Sequence, residues 1–179
     1  MGLPTATAAP VLRSPQGLQD LLLYRCARLA ATAGAVVVRL CEGRYGITRR
    51  EWRMVALLGE CGTMNPSQLA ERAQLDRART SRALSSLVTK GLVSRSSQAG
   101  DQRFARVALT EAGQALHAEL FPQVARLNGA LLGAMSDEDA VRLDALLQLA
   151  QVEAEALAAA SDLPKAGRRR MGSSATSRA

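Results

Sequence analysis

Residues 65–109 contain the pattern that most constrains the fold of this chain, namely two short helical segments separated by a tight turn. Asn65 is a favourable N-cap for the first helix, and Pro66 suits its first position because the N–H that proline lacks has no helical partner there. Asp76 is a favourable N-cap for the second helix, where its carboxylate lies near the positive end of the helix dipole. The pattern predicts a helix over residues 66–73, a turn at 74–75 and a helix over 77–90.

The second helix is predicted to have one apolar stripe and one small, polar face. Its apolar positions recur at helical spacing and are Ala83, Leu84, Leu87 and Val88. Most of the other positions are basic or carry short hydroxyl side chains, namely Arg77, Arg79, Thr80, Ser81, Arg82, Ser85, Ser86 and Thr89. Gly91 follows, as glycine commonly does at a helix C-terminus.

A two-stranded hairpin is predicted directly after this helix. Residues 92–95 form the first strand, residues 96–102 the polar tip, and residues 103–109 the return strand, in which Val107 and Leu109 alternate with less apolar residues. A helix pair followed by such a hairpin is a winged helix-turn-helix, which places its second helix, here residues 77–90 and called the recognition helix below, in the major groove of DNA. The predicted fold is therefore mainly α with a small β-wing.

Basic residues dominate the predicted second helix and hairpin. Between residues 77 and 106 the one acid is Asp101, against Arg77, Arg79, Arg82, Lys90, Arg95, Arg103 and Arg106. This charge suits a phosphate-lined groove, although a solvated face or a protein-binding winged helix would have the same composition. The predicted DNA contacts are Ser67, Gln68, Arg77, Arg79, Thr80, Ser81, Arg82, Ser85, Lys90, Asp101, Arg103 and Arg106.

Five short motifs mark the same region: LAER at 69–72, TSRAL at 80–84, LVTKGLV at 87–93, DQR at 101–103 and LTEAG at 109–113. As a set they resemble the MarR family of transcriptional regulators, and the resemblance extends over residues 18–157. In that family the arginine of an Asp-x-Arg wing motif enters the minor groove and the aspartate holds it. The resemblance implies these roles for Arg103 and Asp101. Phe104 and Ala105 follow where many members have polar or basic residues, which implies a weaker grip by the wing.

Further helices are predicted on both sides of this module. Thr48 and Glu51 form a capping box for a helix over residues 49–60, and residues 61–64 can add a short strand beside the wing. Long apolar stripes are predicted in residues 18–41 and 110–160, where Pro122 interrupts the pattern and should bend or weaken the helix, and Ser136 should cap the last helix. The stripes can bury each other within one chain or pair across a two-fold axis, and the resemblance implies a dimer.

The predicted organisation follows from these segments. It consists of a disordered arm at 1–16, a MarR-like domain at 17–160 with the winged helix-turn-helix at 48–109 and dimerisation helices at 18–41 and 110–160, and a basic disordered tail at 161–179. The net charge of +7 is uneven, because the tail contains five basic residues and, from residue 165 on, no acid, which leaves about +2 for the rest. The overall charge is thus mostly a property of the tail.

Export and catalysis find little support in the sequence. There is no apolar run long enough to span a membrane and no signal-peptide pattern, and three cysteines suit a reducing cytoplasm, where we expect the protein to be. One histidine, His117, and cysteines at 26, 41 and 61 without CxxC spacing argue against an enzyme, a metal site or a cofactor. Cys26, near Arg25 and Arg28, is a candidate redox-sensing thiol, although a buried structural cysteine is the commoner case.

Regulators that resemble MarR bind small anionic aromatic molecules between the dimer helices and the winged module. By that resemblance the candidate effector-binding residues are Tyr24 and Arg28 from the first helix and Trp52 and Met54 from the second. An aromatic ring and an arginine can hold a ring and a carboxylate, although Trp52 also suits a simple core position.

The sequence therefore predicts a cytoplasmic, homodimeric transcriptional regulator. We expect a repressor that binds a palindromic operator in double-stranded DNA and is relieved by a small molecule. The alternatives are a thiol-based redox sensor and an architectural or protein-binding winged helix without sequence preference.

Overall fold

The computed structural model describes residues 11–98 and 101–162, and for 97, 98 and 101–104 it describes the backbone only. The helices and strands are α1 (Leu22–Tyr45), α2 (Arg49–Cys61), α3 (Pro66–Arg72), α4 (Arg77–Thr89), β1 (Val93–Gln98), β2 (Asp101–Leu109), α5 (Glu111–Leu132) and α6 (Asp137–Ala160). This is the mainly helical fold with a small β-wing that the sequence predicts. Residues 1–10 of the predicted arm and 163–179 of the predicted tail lie outside the described residues.

The start and end of α1 differ from the prediction of a helix over residues 18–41. Residues Leu18–Asp20 form one turn of 3₁₀ helix, and Leu21 is extended, so α1 begins at Leu22. The carboxylate of Asp20 accepts hydrogen bonds from the backbone N–H groups of Gln16 and Gly17, at 3.0 and 3.2 Å, and holds this separate turn. At its other end α1 continues to Tyr45 and ends at Gly46, whose φ of 64° is most favourable for glycine.

Side-chain caps begin the three helices that follow, as the sequence predicts. The Thr48 N–H donates to the Glu51 carboxylate at 2.6 Å, and the Glu51 N–H donates to the Thr48 hydroxyl. Asn65 and Gln68 form the same reciprocal pair at the start of α3, and Asp76 accepts from the N–H of Arg79 at 2.7 Å. These caps fix where each helix starts because they satisfy backbone donors that have no intrahelical acceptor.

The hairpin is longer and its tip shorter than the sequence predicts. Val93 pairs with Leu109 and Arg95 with Val107 in an antiparallel ladder, which reaches Gln98 opposite Asp101 after one irregularity. The polar residues assigned to the tip therefore extend the strands, because backbone pairing does not require apolar side chains. Met64 and Val107 exchange both backbone hydrogen bonds, so the short strand predicted at 61–64 is reduced to one bridge.

Thr110 begins α5, since its hydroxyl accepts from the N–H of Gly113 at 3.1 Å. Pro122 lies inside this helix, which continues on both sides of it, and the bend or weakening expected there stays a prediction. A proline inside a helix removes one hydrogen bond, and the helical residues on both sides of it are enough to hold the turn. The described helices include none that is long and apolar enough to cross a membrane.

The chain divides into two compact units, one ending at Leu131 and the other beginning at Leu132. The core of the first unit is apolar and comprises Cys41, Ile47, Trp52, Met54, Val55, Leu58, Met64, Leu69, Ala73, Ala83, Leu84, Leu87, Val93, Val107 and Leu120. The second unit contains α6, where Ser136 caps the helix through the N–H of Asp139. Every residue of α6 is at least partly exposed, including Val141, Leu149 and Leu157.

One ion pair of the first unit joins a buried carboxylate to a partly exposed ammonium. The Glu51 side chain is 3% exposed, and both of its carboxylate oxygens accept from the Lys90 ammonium at 3.0 Å. Burial raises the pKa of Glu51, but hydrogen bonds from Ser86, Thr48 and Lys90 outweigh it, so the net pKa is below the ordinary carboxyl value.

Acid should remove the stabilisation that this pair contributes. Because the Glu51 pKa is lowered in the folded chain, the contribution is complete above the ordinary carboxyl pKa of about 4.3 and is lost as the pH falls through the folded value. We expect the free energy of unfolding, measured in urea at several pH values, to fall more steeply with acid in the natural chain than in the double variant E51Q/K90M. An equal dependence on pH in the natural chain and in the double variant would contradict this. Glu119→Gln removes a half-exposed carboxylate and is the control, which should keep most of the dependence on pH of the natural chain.

Candidate nucleic-acid interface

The exposed side of α4 matches most of the predicted contact face. Arg77, Arg79, Ser81, Arg82 and Ser85 are all exposed. Apart from Arg79, these side chains have no hydrogen bond or ion pair with a described side chain. Arginine and short hydroxyl side chains on one helix face can approach phosphates and base edges closely.

Thr80 is not part of this face, and its predicted role as a contact is wrong. It is 1% exposed, and its hydroxyl donates to the backbone oxygen of Asp76 at 3.0 Å. The buried stripe consists of Thr80, Ala83, Leu84 and Leu87, whereas Val88 is 42% exposed. The buried stripe therefore includes Thr80 and leaves out Val88, which differs from the prediction. Thr80 can be buried because its hydroxyl is hydrogen-bonded within the helix and its methyl group packs like that of valine.

Lys90, another predicted contact, has partners within the protein. Its ammonium donates to the backbone oxygen of Gly46 at 2.8 Å as well as to both carboxylate oxygens of Glu51. The three donors of a lysine ammonium are therefore all used within the protein in this arrangement, while the side chain is 35% exposed and its role as a DNA contact stays a prediction. Two further predicted contacts also have internal partners: the Gln68 side chain belongs to the α3 cap, and Arg79 pairs with Asp76 at 3.3 Å.

A cleft of about 170 Å³ lies where α3, α4 and β1 meet. Its lining residues are Pro66, Ser67, Arg77, Thr80, Ser81, Leu84 and Arg95. The cleft brings Ser67 from α3 together with Arg77 and Ser81 from α4, as the sequence predicts for one surface. Arg95 was counted in the local charge but not among the predicted contacts. The signal that could have identified it is its place in the basic run directly after the recognition helix, on the first strand of the wing.

The wing contributes one further described basic side chain, Arg106, which is exposed on β2 opposite Ser96. Asp101 and Arg103 lie at the start of β2, and their side chains are outside the described residues. Their paired roles at the tip of the wing therefore stay predictions from the family motif.

The four candidate effector residues do not form one site. The guanidinium of Arg28 lies 6.0 Å from the centre of the Tyr24 ring and donates to Gln19 at 2.7 Å, near the start of α1. Trp52 and Met54 instead belong to the core, where Met54 is fully buried and Trp52 stacks on His117 at a centroid distance of 6.0 Å. Burial on the inner side of α2 therefore removes Met54 and most of Trp52 from any open crevice.

A groove of about 280 Å³ lies between α1 and α5 in the first unit. It is lined by Cys26, Leu29, Ala30, Ala33, Gly34, Val37, Arg49, Val124, Leu127, Asn128 and Leu131. The walls are apolar, and the one charged residue among them is Arg49 from the first turn of α2. An apolar groove with one cation and one amide is a suitable site for an organic anion. The sequence reasoning missed Arg49 because its position in the helix pattern shows no sign of the groove.

The three thiols have different surroundings. Cys26 is exposed and lines the groove, whereas Cys41 is buried. Burial, reinforced by the charge of Glu42, raises the pKa of Cys41 above its ordinary value, which makes its thiol a poor redox sensor. Cys61 accepts a hydrogen bond from the guanidinium of Arg72 at 3.0 Å. The described part of the chain includes no group of three or more side chains that could hold a metal ion.

Comparisons with known proteins agree with this geometry. Residues 45–103 match the family model described as the MarR family. The HTH-type transcriptional regulator FarR of Neisseria gonorrhoeae is 33% identical over 108 residues, which is 60% of this chain and 74% of that protein. The homoprotocatechuate degradative operon repressor of Escherichia coli is 36% identical over 74 residues, 41% of this chain and 50% of that protein.

A solved structure gives the same result for the fold. The crystal structure of NadR in complex with 4-hydroxyphenylacetate is 27% identical and superposes with a TM-score of 0.62. The match covers 74% of this chain and 98% of that one. About three quarters of this chain therefore shares its fold with a protein whose structure contains a small aromatic acid.

The burial of Thr80 leads to a test of the interface. Thr80→Val keeps the shape of the side chain and removes one internal hydrogen bond, so we expect a loss of stability of about 1 kcal/mol and an unchanged affinity for double-stranded DNA. Arg77→Ala, at the neighbouring exposed cleft, should weaken DNA binding without a comparable loss of stability. Urea unfolding and fluorescence anisotropy with a labelled duplex measure the two effects. If Thr80→Val folds normally but binds DNA weakly, Thr80 contacts DNA and the assignment made here is contradicted.

Proposed function

The chain belongs to the MarR family of transcriptional regulators, and from that premise we propose that it is a homodimeric repressor, released from a palindromic operator by a small anionic aromatic molecule. The observation that supports this most strongly is the exposed basic face of α4 beside the cleft that Arg77 and Arg95 line. Arg77, Ser81 and Arg82 contact bases and phosphates in the major groove, and Ser85 and Arg106 lie at the edges of the contact. Arg103 enters the minor groove from the wing, with Asp101 orienting it.

Dimerisation supplies the second half of the contact. The apolar side chains on α1 and α6 that stay open within one chain pair with those of a second copy, including Leu22, Leu29, Val141 and Leu149, each at least 44% exposed. Burying such side chains is favourable by about 25 cal/mol per Å² of apolar surface. A two-fold axis then places two α4 helices roughly 34–36 Å apart, one turn of DNA, on a palindromic site.

The effector site in this proposal is the α1–α5 groove rather than the four residues that the sequence predicts. Arg49 is suited to bind the carboxylate, and the apolar walls to bind an aromatic ring. The name of the Escherichia coli relative, a repressor of homoprotocatechuate degradation, and the bound 4-hydroxyphenylacetate of NadR favour this chemical class.

Cys26 favours a second candidate function. The thiol is exposed and lies in the same groove, so its oxidation would place a polar group among apolar walls. If hydrogen peroxide abolishes operator binding by the natural chain and not by Cys26→Ser, the protein is a redox sensor.

Arg82 provides the test of sequence-specific binding. Its guanidinium is exposed on α4, and loss of a base contact costs about 1–3 kcal/mol and flattens the preference at one position in each half-site. We therefore expect Arg82→Ala to bind its operator about 5–150-fold more weakly, in anisotropy titrations against operators mutated at single positions. Arg39→Ala removes the same charge from α1 and should leave the preference intact. Unchanged preference in Arg82→Ala would contradict its role, and equal affinity for every duplex would support the architectural alternative.

The reciprocal effect of ligand and operator on each other's binding tests whether a ligand releases the protein from DNA. If 4-hydroxyphenylacetate weakens operator binding by some factor, operator DNA must weaken 4-hydroxyphenylacetate binding by the same factor, typically about 5–150-fold. Isothermal titration with and without operator measures both. Arg49→Met should lower the affinity for 4-hydroxyphenylacetate. 4-Ethylphenol, which lacks the carboxylate, should bind the natural chain and the variant with the same affinity. Equal affinity for the acid in the presence and absence of operator would contradict relief by this class of ligand.

A further inference from the structure

The first turn of α2 touches two places that the proposed function needs to connect. Arg49 lines the α1–α5 groove, and Glu51, two residues later, is paired with Lys90 at the end of α4. Both side chains leave the same helical turn, because two residues rise only about 3 Å along a helix axis. A displacement of that turn therefore affects the groove and the end of the recognition helix together.

The guanidinium of Arg49 lies close to the backbone of α1 at Gly34. Gly34 is buried there, and a Cβ atom added to it would lie 2.5 Å from Nη1 of Arg49 and 3.0 Å from its Cζ. Only glycine leaves room for the guanidinium at this point. The guanidinium has no hydrogen bond or ion pair within the described ranges, and its close approach to the glycine is the contact on which the following argument rests.

Glu51 and Lys90 connect the first turn of α2 to the end of α4. The Lys90 ammonium joins three elements, because it donates to Gly46 at the end of α1, to Glu51 on α2, and itself follows the last residue of α4. The Glu51 carboxylate also accepts from the N–H of Thr48, the cap of the turn that contains Arg49. Hydrogen bonds weaken steeply with misalignment, so a small rotation of this turn loosens the hold on α4.

We propose that the first turn of α2 is the coupling element of this regulator: a change in the groove that lifts Arg49 from Gly34 weakens the Glu51–Lys90 contact and releases the recognition helix from its binding position. The inference rests on the proposed function and names its regulatory residues. Lys90 is a positioning residue in this account, since it acts on DNA through the placement of α4.

Gly34→Ala imitates the ligand without requiring one. The new methyl group displaces the end of a flexible arginine side chain. The fold is therefore kept, while the guanidinium of Arg49 moves away from residue 34. Gly43→Ala is the matched control on the same helix, because it gains the same helix propensity and its Cβ meets nothing within 4 Å. We expect Gly34→Ala to weaken operator binding about fivefold or more, and Gly43→Ala to leave it unchanged. Equal affinities of the two variants would overturn the proposal.

A double-mutant cycle tests the route of the effect. E51Q/K90M removes both charges, so no unpaired buried charge is left to unfold the protein. In that background, and separately in Arg49→Met, Gly34→Ala should have no further effect on operator affinity, whereas independent effects would multiply. Multiplying effects would show that Gly34→Ala acts by another route and would overturn the coupling through Arg49, Glu51 and Lys90.

Hydrogen exchange separates failure of this inference from failure of the proposed function. Without DNA, the amides of α4 should exchange faster in Gly34→Ala than in Gly43→Ala or the natural chain. Protection of α4 that is the same in all three proteins would overturn the inference, whatever the DNA measurements give. If the natural chain has no sequence preference while α4 exchanges as expected, the coupling stands and the proposed function fails.

Discussion

One ammonium group joins the end of α4 to the end of α1 and to the first turn of α2. Lys90 lies just beyond α4, and its three donors bind the end of α1 and the first turn of α2 through Gly46 and Glu51. The carboxylate is almost fully buried and would be costly to leave unpaired, so it holds the lysine firmly. Glu51 is in turn held by the cap that begins α2. The orientation of the exposed α4 face is therefore set by contacts on its opposite side and beyond its C-terminus.

The remaining contacts of the winged module extend the same frame. The side-chain caps at Thr48, Asn65 and Asp76 fix the start of each short helix, and Gln74, the one non-glycine with positive φ among the described residues, makes the tight turn between α3 and α4. The bridge between Met64 and Val107 attaches the wing to the start of α3. Because each connection is short and hydrogen-bonded, Arg77, Ser81 and Arg95 line one common cleft.

Local chemistry made much of this predictable from the sequence. Caps and the helix-ending Gly91 depend on residues within a few positions, so the bounds of α2, α3, α4 and the start of α6 followed from the pattern. The rotation of the α4 stripe did not, because a threonine that bonds its own helix packs as an apolar residue and displaced Val88 from the stripe. The internal pairing of Lys90 did not follow either: its partner Glu51 is 39 residues away, and charge alone cannot distinguish an internal ion pair from a DNA contact. The groove beside Arg49 needs Gly34 and α5 as neighbours, which no local pattern indicates.

A crystal structure of the protein with an operator taken from its own genome tests the central claim most directly. The account predicts α4 in the major groove, with Arg77, Ser81 and Arg82 within hydrogen-bonding distance of base edges or phosphates. It also predicts that the Lys90 ammonium still contacts Glu51 and Gly46 in that complex. A Lys90 ammonium bound to phosphate with Glu51 released, or an α4 that lies outside the groove, would contradict the account.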